Sequence, residues 1–135
     1  MSTAESFEFA RNAADSALPF AQILAHRCVG IAVALRDGRD TEALCSLETS
    51  VDDIQAFLSY LVLVRDLVAF ADPSAAIGLR DYQESVIGVI EALQPALGAA
   101  DWVEVADSLE ADLAPSLAGY ESLDGRVRSA LAIAA

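Results

Sequence analysis

The sequence contains no lysine, and this absence, combined with an excess of acidic residues, excludes several classes of partner. Its basic residues are eight arginines, against 21 aspartates and glutamates, which gives a formal net charge of −13. Nucleic acids and anionic membrane surfaces are bound by clustered lysine and arginine. We therefore expect no nucleic-acid binding, whereas an acidic surface favours solubility and basic protein partners.

Histidine and cysteine are also scarce, and neither forms a pattern that metal or redox chemistry requires. Cys28 and Cys45 stand apart, without CxxC spacing or neighbouring histidines, and each falls on a line of apolar residues. We expect both to be small buried thiols. The Glu-x-x-His signature of di-metal helical bundles is absent, and no carboxylate pair stands in a recognisable catalytic pattern. The sequence predicts no enzymatic activity, no catalytic residues, no metal and no cofactor.

No targeting signal or long uncharged apolar run is visible. The N-terminal residues lack the basic start and apolar core of a secretory signal. The most hydrophobic window, residues 58–71, is interrupted by Arg65 and Asp66 and is too short to cross a bilayer. We expect a cytoplasmic protein without membrane insertion.

Apolar residues at helical spacing are abundant. Hydrophobic residues make up 55% of the chain and recur every three or four positions, and no run alternates as a strand does. The pattern predicts one all-α domain over residues 1–135, an antiparallel bundle of four main helices with a possible short extra helix at the C-terminus. We expect the other helices to pack around residues 51–71, because two adjacent apolar lines leave that helix only a narrow polar strip.

Turn and capping residues predict where the helices begin and end. The first helix covers residues 6–35 and is kinked rather than broken by Pro19. Gly38 suits a left-handed turn, after which a cap at Asp40 or Thr41 opens the second helix, which runs to about residue 70.

The second half of the chain gives similar signals. We expect Ser74 to cap the third helix and Asp101 to cap the fourth. Pro95 bends the end of the third helix and Pro115 bends the fourth, although the sequence leaves open whether these prolines kink or break their helices. Residues 123–135 add the short terminal helix.

The hydrophobic content exceeds what one small bundle is expected to cover, so we expect a homo-oligomer or a protein partner. The predicted mode is recognition of an amphipathic helix in a groove, at the point where Pro115 splays the fourth helix. The predicted partner-binding residues are Trp102, Leu109, Leu113 and Tyr120. A purely structural oligomer with no other ligand is equally compatible with the sequence.

Residues 101–115, DWVEVADSLEADLAP, resemble a motif of small uncharacterised bacterial helical proteins, D-[WY]-V-x-x-A-D-x-L-E-x-[ED]-L-x-P. In those proteins an apolar helix resembling residues 54–58 lies upstream. Ser108 and Ala111 depart from the motif, where bulkier residues are usual. The resemblance implies a bacterial, non-enzymatic protein loosely associated with motility and secretion gene clusters. A cap, an amphipathic stripe and a proline also suffice to build one helix, and this structural interpretation stays open.

A second resemblance involves the only histidine. His26 is followed four residues later by Gly30, as in the phosphorylatable helix of histidine phosphotransfer domains, which are also four-helix bundles. The resemblance implies an exposed His26 that accepts a phosphoryl group in a two-component relay. Val29 stands where that family usually has lysine. The first prediction is therefore a non-catalytic protein–protein interaction module, an adaptor or chaperone-like bundle, and phosphotransfer through His26 is the alternative.

Overall fold

A computed structural model describes residues 2–134 and confirms the predicted all-α bundle, with no strand in that range. The terminal residues of the predicted domain, Met1 and Ala135, lie outside the described residues. The helices are α1 (Thr3–Arg36), α2 (Asp40–Val68), α3 (Pro73–Gly98), α4 (Trp102–Ser108), α5 (Ala114–Ala118) and α6 (Glu121–Ala134), with a π-helical turn, Leu109–Leu113, joining α4 to α5.

Four helical segments run up and down around the core, and α6 covers one end. α1 packs against α2 and against the segment from α4 to α5. α3 packs against the same two neighbours, α2 and the α4–α5 segment. α6 contacts α1, α2 and α3. It lies at the end of the bundle where α1 and α3 begin, since Arg128 pairs with Asp15 on α1 and Arg126 with Asp72 before α3.

α1 packs against more elements than α2, which contains the predicted central helix over residues 51–71. α1 packs against α2, α4, the π turn, α5 and α6, whereas α2 packs against α1, α3 and α6. Four alanines one turn apart on the buried face of α1 explain this position, because small side chains let several backbones approach closely. These are Ala10, Ala14, Ala17 and Ala21.

Among the described residues, only α1 is long and apolar enough to cross a membrane by length and composition alone. That test is also passed by core helices, and the apolar stripe of α1 is packed inside the bundle. Pro19 and Pro95 lie within continuous helices, so neither proline breaks its helix.

The helix starts follow the predicted chemistry in part. Gly38 has a φ of 77°, in the left-handed region, as predicted. The predicted cap at Asp40 or Thr41 is wrong, because both residues lie inside the first turn of α2 and Arg39 occupies the cap position without a side-chain hydrogen bond. An aspartate within the first turn still interacts favourably with the positive end of the helix dipole.

The caps of α3 and α4 are both aspartates. The Asp72 carboxylate accepts a hydrogen bond from the Ala75 N–H at 3.1 Å, so the predicted cap at Ser74 is wrong. The Asp101 carboxylate accepts from the Glu104 N–H at 3.2 Å, which confirms the predicted cap of the fourth helix.

The π turn explains how Pro115 is accommodated. Four core residues of this segment follow one another at intervals of four positions. In a regular α-helix, at about 100° per residue, each interval turns the side chain by about 40°, so the last of the four would point about 120° away from the first. Pro115 has no N–H, so in a regular α-helix the carbonyl of residue 111 would receive no hydrogen bond from it. The wider turn, in which the Ala114 N–H donates to the Leu109 carbonyl, keeps the whole stripe facing the core. The stripe is Val105, Leu109, Leu113 and Leu117, all 0% exposed.

Candidate protein-binding surface

The residues predicted to bind a partner lie mostly inside the bundle. Leu109 and Leu113 are fully buried and Tyr120 is 1% exposed, while Trp102 is half-buried against the core. The predicted groove is therefore not an open surface at this position, because the π turn holds these side chains inward instead of splaying the helix at Pro115.

Tyr120 belongs to an aromatic cluster in the core. Its ring lies 5.5 Å from Phe57 and 5.8 Å from Tyr82, measured between ring centroids. The Tyr82 hydroxyl donates to the Leu117 carbonyl at 2.8 Å. Burial raises the pKa of Tyr82 and Tyr120 well above the ordinary value. These side chains stabilise the core and are not available to a partner in this conformation.

His26, the alternative site, lies on the exposed side of α1. It lines a shallow cleft of about 410 Å³ between α1 and α5, opposite Glu110 and Pro115. Gly30, one turn later, is also exposed, and a Cβ added there would meet nothing within 4 Å. The geometry leaves His26 accessible to a reagent, although the charged side chain that lines its cleft is a carboxylate. That carboxylate is held by Arg36 at 2.9 Å.

The two cysteines differ, in contrast to the prediction that both are buried. Cys28 is buried in α1, and burial raises the pKa of its thiol to about 11. Cys45 is exposed on α2, so the prediction for this residue is wrong. Its neighbours one turn away, Thr41, Glu48 and Thr49, are polar and exposed, so Cys45 lies on a polar face of α2.

An apolar groove runs between α1 and α2 on the outside of the bundle. We call it the aromatic groove, and it has a volume of about 250 Å³. Phe9 packs edge-on against Tyr60, with ring centroids 6.2 Å apart, and Phe20 against Phe57 at 5.8 Å. The aromatic groove is lined by Phe9, Ala13, Ser16, Ala17, Phe20, Ala56, Phe57 and Tyr60.

The small residues of the aromatic groove leave a depression between its aromatic rings. Ala13 and Ser16 on α1 face Ala56 on α2, so no large side chain fills the space between Phe9 and Phe20. Phe9 is 48% exposed. Ligand sites are usually concave and mostly apolar, as this depression is, whereas single exposed apolar residues are ordinary.

Tyr60 is fixed at the edge of the aromatic groove. Its hydroxyl donates to the Ala10 carbonyl at 2.9 Å, so the ring is held in place before any partner arrives. Burial, with the nearby charge of Asp124, raises the pKa of Tyr60 to about 12. A rigid aromatic side chain with a satisfied polar end is suited to act as an anchor, because little conformational entropy is lost on binding.

The sequence of α1 carries a signal for the aromatic groove in addition to its buried stripe. Positions 9, 13, 16, 20 and 23 of α1 form a second line with alternating four- and three-residue steps, parallel to the buried alanines. Such a line is the seam that a helix presents to a neighbouring helix. Here only part of it is covered by α2.

A second, more polar cleft follows along the same pair of helices. Its volume is about 540 Å³, and Gly30, Ala34, Ser46 and Thr49 are among the small residues lining it. An ion pair between Arg27 on α1 and Asp53 on α2, 2.5 Å long, lies at the boundary of this cleft nearer the aromatic groove.

Neither sequence motifs nor known proteins identify the chain. Within residues 2–134 no three histidine, cysteine, aspartate or glutamate side chains are grouped as metal ligands. The comparisons with known proteins give no match to a family model, a curated protein or a solved structure. The proposed function therefore depends on the chemistry of the surfaces described above.

Proposed function

We propose that this protein is a non-catalytic protein–protein interaction module, an adaptor or chaperone-like bundle, that binds an amphipathic helix of its partner in the aromatic groove. The observation that carries the proposal is the apolar depression between Phe9, Phe20 and Tyr60 on the outside of the bundle. Its volume of about 250 Å³ has room for apolar side chains of the partner, and such buried anchors supply most of the affinity of helix-in-groove complexes.

The direction of the aromatic groove supports a helical ligand. Two antiparallel helices form its walls, so a third helix lying along them places residues at i, i+4, i+7 and i+11 against Phe9, Ala13, Ser16 and Phe20. A helix bound in this direction also covers the part of the line of positions 9, 13, 16, 20 and 23 that α2 leaves exposed.

A second copy of the chain is the less favoured occupant. Each copy carries a net charge of −13, and two copies facing each other across this surface bring like charges together. An oligomer remains the other outcome of the test, because the apolar lining itself does not distinguish a copy from a partner.

The proposal is tested with a labelled synthetic amphipathic helix of about 18 residues, which is five turns. Its apolar face carries leucine and phenylalanine, and its polar face carries glutamine. We expect amide chemical-shift changes to concentrate on residues 9–20 and 56–60. Ala56→Glu, which places a charge in the aromatic groove, should weaken binding by about tenfold or more, a loss of about 1.4 kcal/mol.

Ser59→Glu is the matched control, since Ser59 is exposed on α2 but does not line the aromatic groove. It adds the same charge three residues away and should leave the affinity of the neutral peptide unchanged. Shift changes on another face, or equal losses in the two variants, would contradict the proposal.

Phosphotransfer is the second candidate function, favoured by the exposure of His26 and the open space at Gly30. Incubation with phosphoramidate, a small phosphoryl donor, should then give an acid-labile phosphorylated protein, and His26→Gln should abolish it. Unmodified wild-type protein after this treatment would count against the relay.

A further inference from the structure

Exposed carboxylates lie on both helices just beyond the aromatic groove, although none lines it. On α2, Asp52 lies one turn before Ala56, and Glu48 lies a further turn away, past the Arg27–Asp53 pair and about 12 Å from Ala56 along the helix, within the length of an 18-residue helix that extends past the groove. On α1, Glu5 lies one turn before Phe9 and is also exposed. A helix bound in the aromatic groove would bring its polar flank close to these side chains.

Seven of the eight arginines are engaged elsewhere. The eighth, Arg11, has a buried Nη1 without a hydrogen-bond partner and lies about 200° around α1 from Phe9, away from the aromatic groove. Arg27, at the end of the aromatic groove, is bound to Asp53, and Arg65 turns towards α3, where it donates to Gln83 at 3.3 Å. The remaining ion pairs join other residues: Arg36, Arg39, Arg80, Arg126 and Arg128 hold carboxylates other than Glu48 and Asp52. The negative charge beside the aromatic groove is therefore not neutralised by these arginines.

We infer that the aromatic groove selects a cationic amphipathic helix, with large apolar residues facing Phe9, Phe20 and Tyr60 and lysine or arginine on the flank that lies over Glu48 and Asp52. The inference rests on the proposed function and adds the chemistry of the partner. Apolar burial holds the helix, and the carboxylates exclude acidic or neutral competitors and accelerate encounter with a basic one.

Three peptides with the same apolar face test the inference against the full chain. They carry lysine, glutamine or glutamate on the polar flank, and their binding is measured by fluorescence anisotropy at low and high salt. We expect the lysine peptide to bind about tenfold or more tightly than the glutamine peptide at low salt, with the difference shrinking as salt screens the charges.

A protein of net charge −13 attracts any cation, so the local carboxylates must be separated from the general field. The variant Glu48→Gln/Asp52→Asn removes two charges beside the aromatic groove. The matched variant Glu84→Gln/Glu91→Gln removes two exposed charges from α3, which does not line the aromatic groove. We expect the first variant to lose most of the preference for lysine and the second to keep it, with both retaining the wild-type circular dichroism spectrum.

The outcomes separate helix binding at the aromatic groove from the selection of a cationic helix. Equal effects of the two variants, or equal binding of the lysine and glutamine peptides, would overturn the cationic selection while leaving helix binding in place. Binding of none of the three peptides would overturn helix binding at the aromatic groove and the selection with it.

Discussion

At the scale of single residues, the two thiols should behave differently. Cys45 is exposed on α2, whereas Cys28 is buried in α1, where burial raises the pKa of its thiol to about 11. Because the thiolate is the reactive form, Ellman's reagent at pH 8 should modify one thiol per chain quickly and the other only after unfolding. Cys45→Ser should remove the fast reaction, and two fast thiols in the folded protein would show that the core around Cys28 opens readily.

The buried tyrosines predict alkaline lability. Burial raises the pKa of Tyr60 to about 12, and Tyr82 and Tyr120 are raised as well, from an ordinary value of 10.0. Between about pH 10 and 12 the unfolded chain releases protons that the folded chain retains, so this stabilisation is complete below pH 10 and is lost as the pH rises. Urea unfolding across this range should show a falling midpoint.

Tyr82→Phe provides the comparison for that measurement. It removes the 2.8 Å hydrogen bond to the Leu117 carbonyl, which then keeps the longer one from the Tyr120 N–H at 3.3 Å, so stability at neutral pH should fall. The further loss above pH 10 should nevertheless be shallower, because one ionisable hydroxyl is gone. Ionisation of the tyrosines near pH 10 with helix content unchanged would contradict the account.

Sequence patterns predict residues well where local chemistry decides their position, and poorly where packing does. Gly38 and the Asp101 cap are set by backbone geometry within a few residues, and both were predicted. The exposure of Cys45 follows from the polar residues one turn away, whereas the full burial of Leu109 and Leu113 depends on packing, which no local pattern specifies.

At the scale of elements, α6 should be an integral cover of the core rather than a loose tail. Leu131 is 1% exposed, while Ile133, two residues later, is 74% exposed. Leu131→Ala should cost about 2–5 kcal/mol through lost burial and a residual cavity. Ile133→Ala should change stability by less than about 0.5 kcal/mol. Urea denaturation measures both, and equal midpoints would mean that α6 contributes nothing to the cooperative unit.

The π turn before Pro115 explains why most of the residues predicted to bind a partner are buried. The four main helices follow from periodicity and turns, and the short loops give their antiparallel order. The sequence prediction treated Pro115 as a point where the fourth helix opens. The protein instead widens one turn, so Leu109 and Leu113 stay in the core and the open apolar surface is found between α1 and α2.

At the scale of the whole molecule, the apolar content no longer requires an oligomer. Many of the buried positions are alanine, which fills a helical core without large side chains. The accessible surface is 7014 Å². A monomeric protein of 14.2 kDa is expected to expose about 6,800 Å². The bundle is therefore about as compact as an ordinary monomer. Its exposed large apolar side chains are spread over several helices, as single exposed apolar residues are in ordinary proteins.

We accordingly expect light scattering over a concentration series to give the mass of one chain at moderate salt. Repulsion between copies of charge −13 opposes self-association, and salt should weaken that repulsion without creating a new apolar interface. The decisive comparison is again Ala56→Glu with Ser59→Glu. A stable wild-type dimer that only Ala56→Glu dissociates would show that a second copy occupies the aromatic groove. A monomer in all three proteins leaves the aromatic groove free for the cationic helix.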